Sequence, residues 1–264
     1  MTGLRVYLRN LGCQMNVLDS ERVVTLLADA GYAPTEAPEE ADLILVNTCS
    51  VREHAEERAY GILGEFGRLK RTRPDLVIGM IGCLAQRQGR AVLARAPQVD
   101  MVVGPGDLDA VGRYARALRE ERRPIVATGR AQGRRLGAGR RAAPGPVAFV
   151  EVSNGCDRAC TFCIVPTVRG PEASRPPDEI VEEVRALADA GAREVVLLGQ
   201  TVNSYGTHLR PRTSLADLLA RLDATPGLAR IRFVTSHPRD MTDDLVAAVR
   251  DLPKVCGHFP LPVQ

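Results

Sequence analysis

Three closely spaced cysteines constrain this chain more than any other feature. They follow a predicted strand at residues 147–152 and have the spacing C-x3-C-x2-C: Cys156, Cys160 and Cys163. Three thiolates can hold a 4Fe-4S cluster and leave one iron without a protein ligand, open to chemistry. A structural zinc site is one alternative, but it usually adds a second cysteine pair or two histidines, and neither follows nearby in the sequence. The other alternative is that the three cysteines are reduced thiols with a structural role only.

Three more cysteines occupy equivalent positions in the first half of the chain. Cys13, Cys49 and Cys83 come shortly after predicted strands at residues 5–8, 42–47 and 76–81. Because the carboxyl ends of parallel strands share one edge of a sheet, we expect these thiols to converge there. A second iron–sulfur cluster is the interpretation that we favour, and three independent core cysteines are the alternative.

The alternation of strand-like and helix-like segments predicts an α/β protein. An N-terminal open parallel-sheet (Rossmann-like) domain is expected at 1–120, an Arg/Gly/Pro-rich linker at 121–146, and an incomplete (β/α) barrel at 147–264. The predicted helices span residues 19–30, 52–71, 85–94, 108–120, 178–190, 215–224 and 243–251. About four βα units fit into the last part, since each needs roughly 30 residues. We therefore expect either a fragment or an open sheet edge that a partner covers.

Composition sets the remaining limits. The 264 residues are 45% hydrophobic, which suffices for a packed core. No apolar run approaches the ~20 residues of a membrane span and no signal peptide is evident, so a cytoplasmic location is expected. The net charge is only +3, but residues 113–141 hold ten arginines against two acids. This stretch indicates either contact with nucleic acid or a solvated linker.

Several motifs give a specific family resemblance. The cysteine loop resembles that of radical S-adenosylmethionine (SAM) enzymes. The motifs GCQMN, NTCSVR and GCLAQ around Cys13, Cys49 and Cys83 are similar to those of the methylthiotransferase family, and its MiaB branch in particular. Further matches are RG at 169–170, SRP at 174–176, LLGQTVNSY at 197–205, TSHP at 235–238 and LPVQ at 261–264.

The resemblance implies two 4Fe-4S clusters and SAM as cofactors. Cys156, Cys160 and Cys163 would hold the cluster that cleaves SAM to a radical, and Cys13, Cys49 and Cys83 an auxiliary cluster that carries the sulfur. The implied reaction places a methylthio group on carbon 2 of N6-isopentenyladenosine beside the tRNA anticodon. Implied partners are the tRNA anticodon stem-loop and an electron donor such as flavodoxin or ferredoxin, with the protein as a monomer. Because the radical must form beside the sulfur, both sets of loops should face one cavity.

Four other residues are candidates for cofactor contacts. Phe162 is predicted to shield the cluster or pack on the nucleoside, with core filling as the alternative. Gln200, Asn203 and Ser236 lie near strand ends, where they are predicted to bind SAM or, alternatively, to stabilise turns. Rival functions are a sibling methylthiotransferase that acts on threonylcarbamoyladenosine tRNA or a ribosomal protein, and an inactive iron–sulfur or RNA-binding fragment. The family's remaining barrel half and C-terminal TRAM domain are not in this sequence.

Overall fold

The computed structural model describes residues 3–50, 53–129 and 145–262, with the side chains of residues 53 and 54 left aside. The chain divides into two compact units. The first comprises residues 1–140 and 162–170, and the second comprises residues 141–161 and 171–264. The segment 162–170, which we predicted to belong to the second domain, therefore clusters with the first unit.

The first unit is built on a six-stranded parallel sheet with the strand order β2-β1-β3-β4-β5-β6. Its strands are β1 (Leu4–Asn10), β2 (Tyr32–Pro34), β3 (Leu43–Thr48), β4 (Val77–Gly82), β5 (Met101–Val103) and β6 (Ile125–Ala127). Its helices are α1 (Gln14–Asp29), α2 (Glu53–Thr72), α3 (Cys83–Gln88), α4 (Ala91–Arg95), α5 (Val111–Glu121) and α6 (Val165–Arg169). Every residue of β3 and β4 is buried, as expected for central strands covered on both faces.

A separate hydrophobic core covers each face of this sheet. The first core contains Val23 and Leu27 from α1 and Val111 and Leu118 from α5. The second contains side chains of α2, α3 and α4, among them Leu63. The helices thus lie on both faces and leave the carboxyl ends of the strands as the open edge.

The observed elements differ from the predicted ones at four places in this unit. Helix α1 begins five residues before the predicted start, because the Cys13 amide donates a hydrogen bond to Asn16 Oδ1 (3.3 Å) and closes the first turn. The predicted helix at 85–94 is two helices, interrupted at Gly89 with φ +52°. Strand β2 was missed. Strand β6 pairs with β5 inside the predicted linker 121–146, so those residues are part of the sheet; the linker's residues 130–144 lie outside the described residues.

The second unit has a three-stranded parallel sheet with the order β11-β10-β7. Its strands are β7 (Val147–Glu151), β10 (Glu194–Leu198) and β11 (Arg230–Phe233), and a small antiparallel pair is formed by β8 (Ser153–Asn154) and β9 (Ala173–Ser174). Its helices are α7 (Pro177–Asp189), α8 (Leu215–Asp223) and α9 (Asp243–Asp251). After α9, an isolated parallel bridge pairs Val255 with Ile231 of β11. The described sheet is open, which agrees with an incomplete barrel.

Candidate metal centres

The cysteines of the first unit follow three adjacent strands. Cys13 lies three residues after β1, Cys49 directly follows β3, and Cys83 is the first residue of α3 after β4. Strands β1, β3 and β4 are hydrogen-bonded neighbours in this order. The three thiols are free, with Cys13 exposed, Cys49 half-buried and Cys83 buried. The structure thus places all three at the carboxyl edge, where the sequence predicted them.

A buried amide pair connects the first two of these loops. Asn16 and Asn47 are fully buried, and Asn16 Nδ2 donates to Asn47 Oδ1 (2.8 Å). Asn47 Nδ2 donates in return to the Asn16 carbonyl (2.8 Å) and to Ser20 Oγ (2.9 Å). Asn16 Nδ2 also donates to the Thr48 carbonyl (3.1 Å), next to Cys49. The start of α1 and the end of β3 are therefore fixed to each other.

The third loop joins the same network through close backbone contacts. Thr48 Oγ1 donates to the Ile81 carbonyl (2.7 Å), at the end of β4. Gly82, directly before Cys83, has φ +95°, and a Cβ atom there would lie 2.4 Å from Asn47 Oδ1. Only glycine fits this conformation and this space. The positions of Cys13, Cys49 and Cys83 are thus set by one continuous polar network.

A buried ion pair lies beside these cysteines. Arg169, the last residue of α6, donates from Nη2 to Asp19 Oδ2 on α1 (2.7 Å), and both side chains are 3% exposed. Burial opposes the charge of Arg169, but Asp19 and the Cys83 thiol outweigh it and hold the pKa of Arg169 well above its usual value. Burial raises the pKa of Cys83, while the charge and hydrogen bond of Arg169 offset part of that rise.

Three thiols and a buried guanidinium are the potential ligands at this edge of the sheet. Within residues 3–50, 53–129 and 145–262, no three Cys, His, Asp or Glu side chains come together closely enough to hold one metal ion. A single zinc ion needs each thiolate about 2.3 Å from one point, whereas an iron–sulfur cube takes each thiolate on a different iron. Moreover, Nη1 of Arg169 is buried without a hydrogen-bond partner among the described residues. Three free thiols and an unused cationic donor fit a sulfur-rich anion.

The second group of cysteines is distributed over both units. Cys156 and Cys160 belong to the second unit, and Cys163 belongs to the segment 162–170 of the first. Their loop begins after β8, at Gly155 with φ +80°, whose amide donates to Gln200 Oε1 (2.5 Å). The loop therefore starts at a fixed point of the second unit, next to the carboxyl end of β10.

Polar contacts hold the part of this loop that lies in the second unit. Cys156 is buried, with Sγ 3.1 Å from Thr201 Oγ1. Cys160 Sγ lies 3.7 Å from His237 Nε2. Between them, Arg158 forms a two-point ion pair with Asp240, with Nε donating to Oδ2 at 3.0 Å. Contacts near the ends of β10 and β11 thus position both thiols.

The other predicted site residues have different surroundings. Both polar groups of Asn203 bond to the backbone of His237 (2.8 Å each), and Gln200 bonds to Gly155, which are contacts of turn-stabilising residues. Ser236 is 2% exposed, and its Oγ has no hydrogen-bond partner among the described residues. Phe162 is 71% exposed, so the core-filling alternative is wrong. SAM contacts of these residues stay a prediction.

The backbone before Ser236 is unusual. Thr235 has φ +66°, a conformation that β-branched residues rarely adopt. Such outliers are concentrated at functional sites, where neighbouring contacts keep the strained conformation. Thr235 and Ser236 are therefore candidates for a ligand-binding position after β11.

Sequence reasoning missed several residues that surround the cysteines. They are Asn16, Asp19, Asn47, Arg169, Thr201 and His237. Most lie in motifs that we quoted for the family resemblance, but motif membership does not say which partner a side chain contacts. Among the helices of the described residues, none combines the length and the mean hydropathy of a membrane span.

Two family models match the chain in succession. The uncharacterized protein family UPF0004 matches residues 5–104, and the radical SAM superfamily matches residues 150–264. The radical SAM domain implies SAM and a 4Fe-4S cluster as cofactors, in agreement with the prediction for the second half.

Curated relatives and solved structures are similar to the chain over almost its whole length. A tRNA-2-methylthio-N(6)-dimethylallyladenosine synthase from Moorella thermoacetica is 48% identical over 96% of this chain and 58% of that protein. One of the same name from Syntrophotalea carbinolica is 46% identical over 98% of this chain and 60% of that protein. The radical SAM methyltransferase TsrM from Kitasatospora setae has a TM-score of 0.65 at 17% identity, over 94% of this chain and 59% of that one. The radical SAM enzyme OxsB has a TM-score of 0.57 at 13% identity, over 94% of this chain and 41% of that one.

The chain spans about 58% of the length of the first of these relatives. The solved structures support the fold alone, since their identity is low. The chain thus matches two family models in succession and is similar, over nearly its whole length, to proteins named tRNA-2-methylthio-N(6)-dimethylallyladenosine synthase.

Proposed function

We propose that this chain methylthiolates tRNA, replacing the hydrogen on carbon 2 of N6-isopentenyladenosine beside the anticodon by a methylthio group. The observation that carries this proposal is the cysteine arrangement: one trio at the carboxyl edge of a parallel sheet and another in a C-x3-C-x2-C loop after β8. It occurs in a chain whose relatives bear that activity in their names. An aromatic C–H bond resists acid–base attack, so a radical site and a sulfur site are both needed.

In this proposal each trio of cysteines holds one 4Fe-4S cluster. Cys156, Cys160 and Cys163 hold the one that binds SAM, and Cys13, Cys49 and Cys83 hold the auxiliary one. When bound, SAM supplies both the methyl group and the radical. The chain's own residues position the thiolates: Arg158 and Asp240 fix the SAM loop, and the Asn16–Asn47 network fixes the auxiliary loops.

The other candidate residues take supporting roles. The unsatisfied hydroxyl of Ser236 bonds to a polar group of SAM, which would remove the cost of burying it alone. Gln200 and Asn203 act as positioning residues, because their polar groups are used to hold Gly155 and His237. The exposed ring of Phe162 is available to cover the cluster or stack on the nucleoside.

The proposed substrate determines the partners and location. The substrate is the anticodon stem-loop of a tRNA, and the electron comes from a donor such as flavodoxin or ferredoxin. We propose that the protein acts as a monomer in the cytoplasm, where tRNA is modified.

Iron content tests the two clusters. After anaerobic reconstitution with iron and sulfide, we expect about eight irons per chain. Replacing Cys13, Cys49 and Cys83 together by alanine should lower this to about four, as should replacing Cys156, Cys160 and Cys163. If either triple variant keeps the iron content of the parent, that trio does not hold a cluster.

Mass spectrometry tests the reaction. The reconstituted chain is incubated with SAM, dithionite and an anticodon stem-loop containing isopentenyladenosine. We expect 5′-deoxyadenosine and a nucleoside with one methylthio group in place of a hydrogen. Modification of only a threonylcarbamoyladenosine stem-loop or a ribosomal protein would identify a sibling enzyme. If the clusters are intact but no 5′-deoxyadenosine forms, the chain is a non-enzymatic fragment.

A further inference from the structure

Arg169 is fixed on one side and unsatisfied on the other. Its Nη2 is bonded to Asp19 at 2.7 Å, and both side chains are almost completely buried. Its Nη1 is also buried and has no hydrogen-bond partner among the described residues. A buried donor without a partner lowers stability, and a charged donor lowers it more than a neutral one. Arg169 Nη1 is therefore a buried cationic donor that lowers the stability of the fold unless an acceptor binds to it.

The surroundings of this guanidinium are the proposed auxiliary ligands. Helix α6, which ends at Arg169, packs against α3, which begins at Cys83. The guanidinium lies near enough to Cys83 and Cys13 for its charge to interact with both thiols. Asp19 lies on α1, whose first turn is fixed by the bonds of Asn16.

The chemistry of the acceptor follows from these neighbours. Three thiolates make a ligated iron–sulfur cube an anion, and its sulfides accept hydrogen bonds. A planar guanidinium has five donors in a fixed fork, so one edge can hold a carboxylate while the other faces a second anion.

We propose that Arg169 is a binding residue for the auxiliary cluster, donating from its free Nη1 to a sulfur of the anionic group held by Cys13, Cys49 and Cys83, while Asp19 fixes its orientation. This assignment rests on the proposed second cluster. It gives α6 a defined role, because the segment that carries Cys163 also carries the counter-charge of the other trio.

The reduction potential of the auxiliary cluster tests this assignment. The parent for the test is the whole chain with Cys156, Cys160 and Cys163 replaced by alanine, so that only one cluster can be observed. Hydrogen bonds and positive charge near the sulfurs favour the reduced, more negative cluster. Arg169→Gln should therefore shift the potential to lower values and speed loss of iron to a chelator by about tenfold or more. Arg169→Lys, which keeps the charge without the fork, should show a smaller shift.

The matched control breaks another ion pair of the same unit. Lys70 on α2 pairs with Asp100, which precedes β5 at the opposite, amino edge of the sheet. Lys70→Gln should leave the potential at the parent's value. Loss of a merely structural contact would lower the amount of folded protein but not the potential of the cluster that remains.

Each outcome decides one claim. If the parent variant binds no cluster, the proposed auxiliary cluster is wrong and the role of Arg169 fails with it. If the cluster forms but Arg169→Gln and Arg169→Lys both keep its potential and its rate of iron loss, only the role of Arg169 is wrong. A shift that occurs instead in the variant lacking Cys13, Cys49 and Cys83 would assign Arg169 to the other cluster.

Discussion

Replacing Asn47 by alanine should destabilise the first unit far more than removal of an ordinary amide. Asn47 lies in β3 and is fully buried. Its side chain accepts one hydrogen bond from Asn16 and donates two, to the Asn16 carbonyl and Ser20 Oγ, all at 2.8–2.9 Å. Alanine removes all three bonds and leaves a polar cavity between α1 and β3.

The expected magnitude follows from the partners that are left behind. A buried polar group that loses its only partner costs about 1–3 kcal/mol. Asn16 Nδ2 keeps a bond to the Thr48 carbonyl, and the Asn16 carbonyl lies inside α1, where the helix offers it a donor. Ser20 Oγ is the one group that loses its identified donor, Asn47 Nδ2. With the lost bonds and the cavity added, we expect Asn47→Ala to lower the free energy of unfolding by about 3 kcal/mol.

Hydrogen-exchange mass spectrometry on the metal-free, reduced protein is the suitable assay. It reports each unit separately, which a single unfolding curve of two units does not. Peptides that cover β1, β3 and β4 should exchange faster in the variant, while peptides of β10 should not change. The control is Asn10→Ala, which removes one half-exposed bond to the Gly12 amide and should cost about 1 kcal/mol or less. Equal effects of the two variants would refute the network as the main support of the cysteine loops.

Three further predictions concern backbone conformation, pH and the SAM loop. Gly82→Ala should destabilise the first unit and lower its iron content. The control Gly191→Ala has φ +103° but open space around its Cβ position, so it should lower the free energy of unfolding only by the backbone cost of about 1–2 kcal/mol. Equal losses of stability in the two variants would exclude a contribution from the contact between Gly82 and the amide of Asn47. Burial raises the pKa of Glu172, so its stabilising contribution is present below the unfolded pKa and is lost as pH rises through the folded one. Glu172→Gln should therefore stabilise the second unit relative to the parent more at pH 7 than at pH 4, as measured by hydrogen exchange of second-unit peptides at each pH. An equal effect of the substitution at both pH values would contradict this. Asp240→Asn should reduce 5′-deoxyadenosine formation by loosening Arg158, while Arg158→Lys should retain part of it; full activity of Asp240→Asn would show that the pair does not position the loop.

The sequence was a good guide to the strands that carry the cysteines. Residues 43–46 of β3 are all apolar and β4 consists of apolar residues and glycine, and such runs are typical of buried parallel strands. Their ends were predicted to within one residue, which fixed Cys49 and Cys83 at the carboxyl edge. Strands β2 and β6 were missed because each has only three residues and is recognised by its pairing with a longer neighbour.

Helix limits were less predictable where the cap is unusual. A cysteine is not a typical N-terminal cap, and the capping amide of Asn16 is also used to bind β3. The predicted start at Asp19 therefore followed the ordinary capping rule and missed the first turn of α1. The same polar residues that obscure the helix start are those that hold the Cys13 loop in place.

The contacts around the cysteines lay beyond reach of sequence reasoning for a different reason. Spacing along the chain identifies residues that act in one loop, but Asp19 and Arg169 are separated by 150 residues. The sequence alone does not distinguish a buried arginine from the many surface arginines of this chain. The burial of Arg169, its ion pair with Asp19 and its Nη1, which has no hydrogen-bond partner in the described part of the chain, are properties of the folded state. The cysteines that we propose as cluster ligands are thus recognised from their spacing in the sequence. Arg169, which we propose to balance their charge, is recognised only in the structure, from the Nη1 atom that has no partner among the described residues.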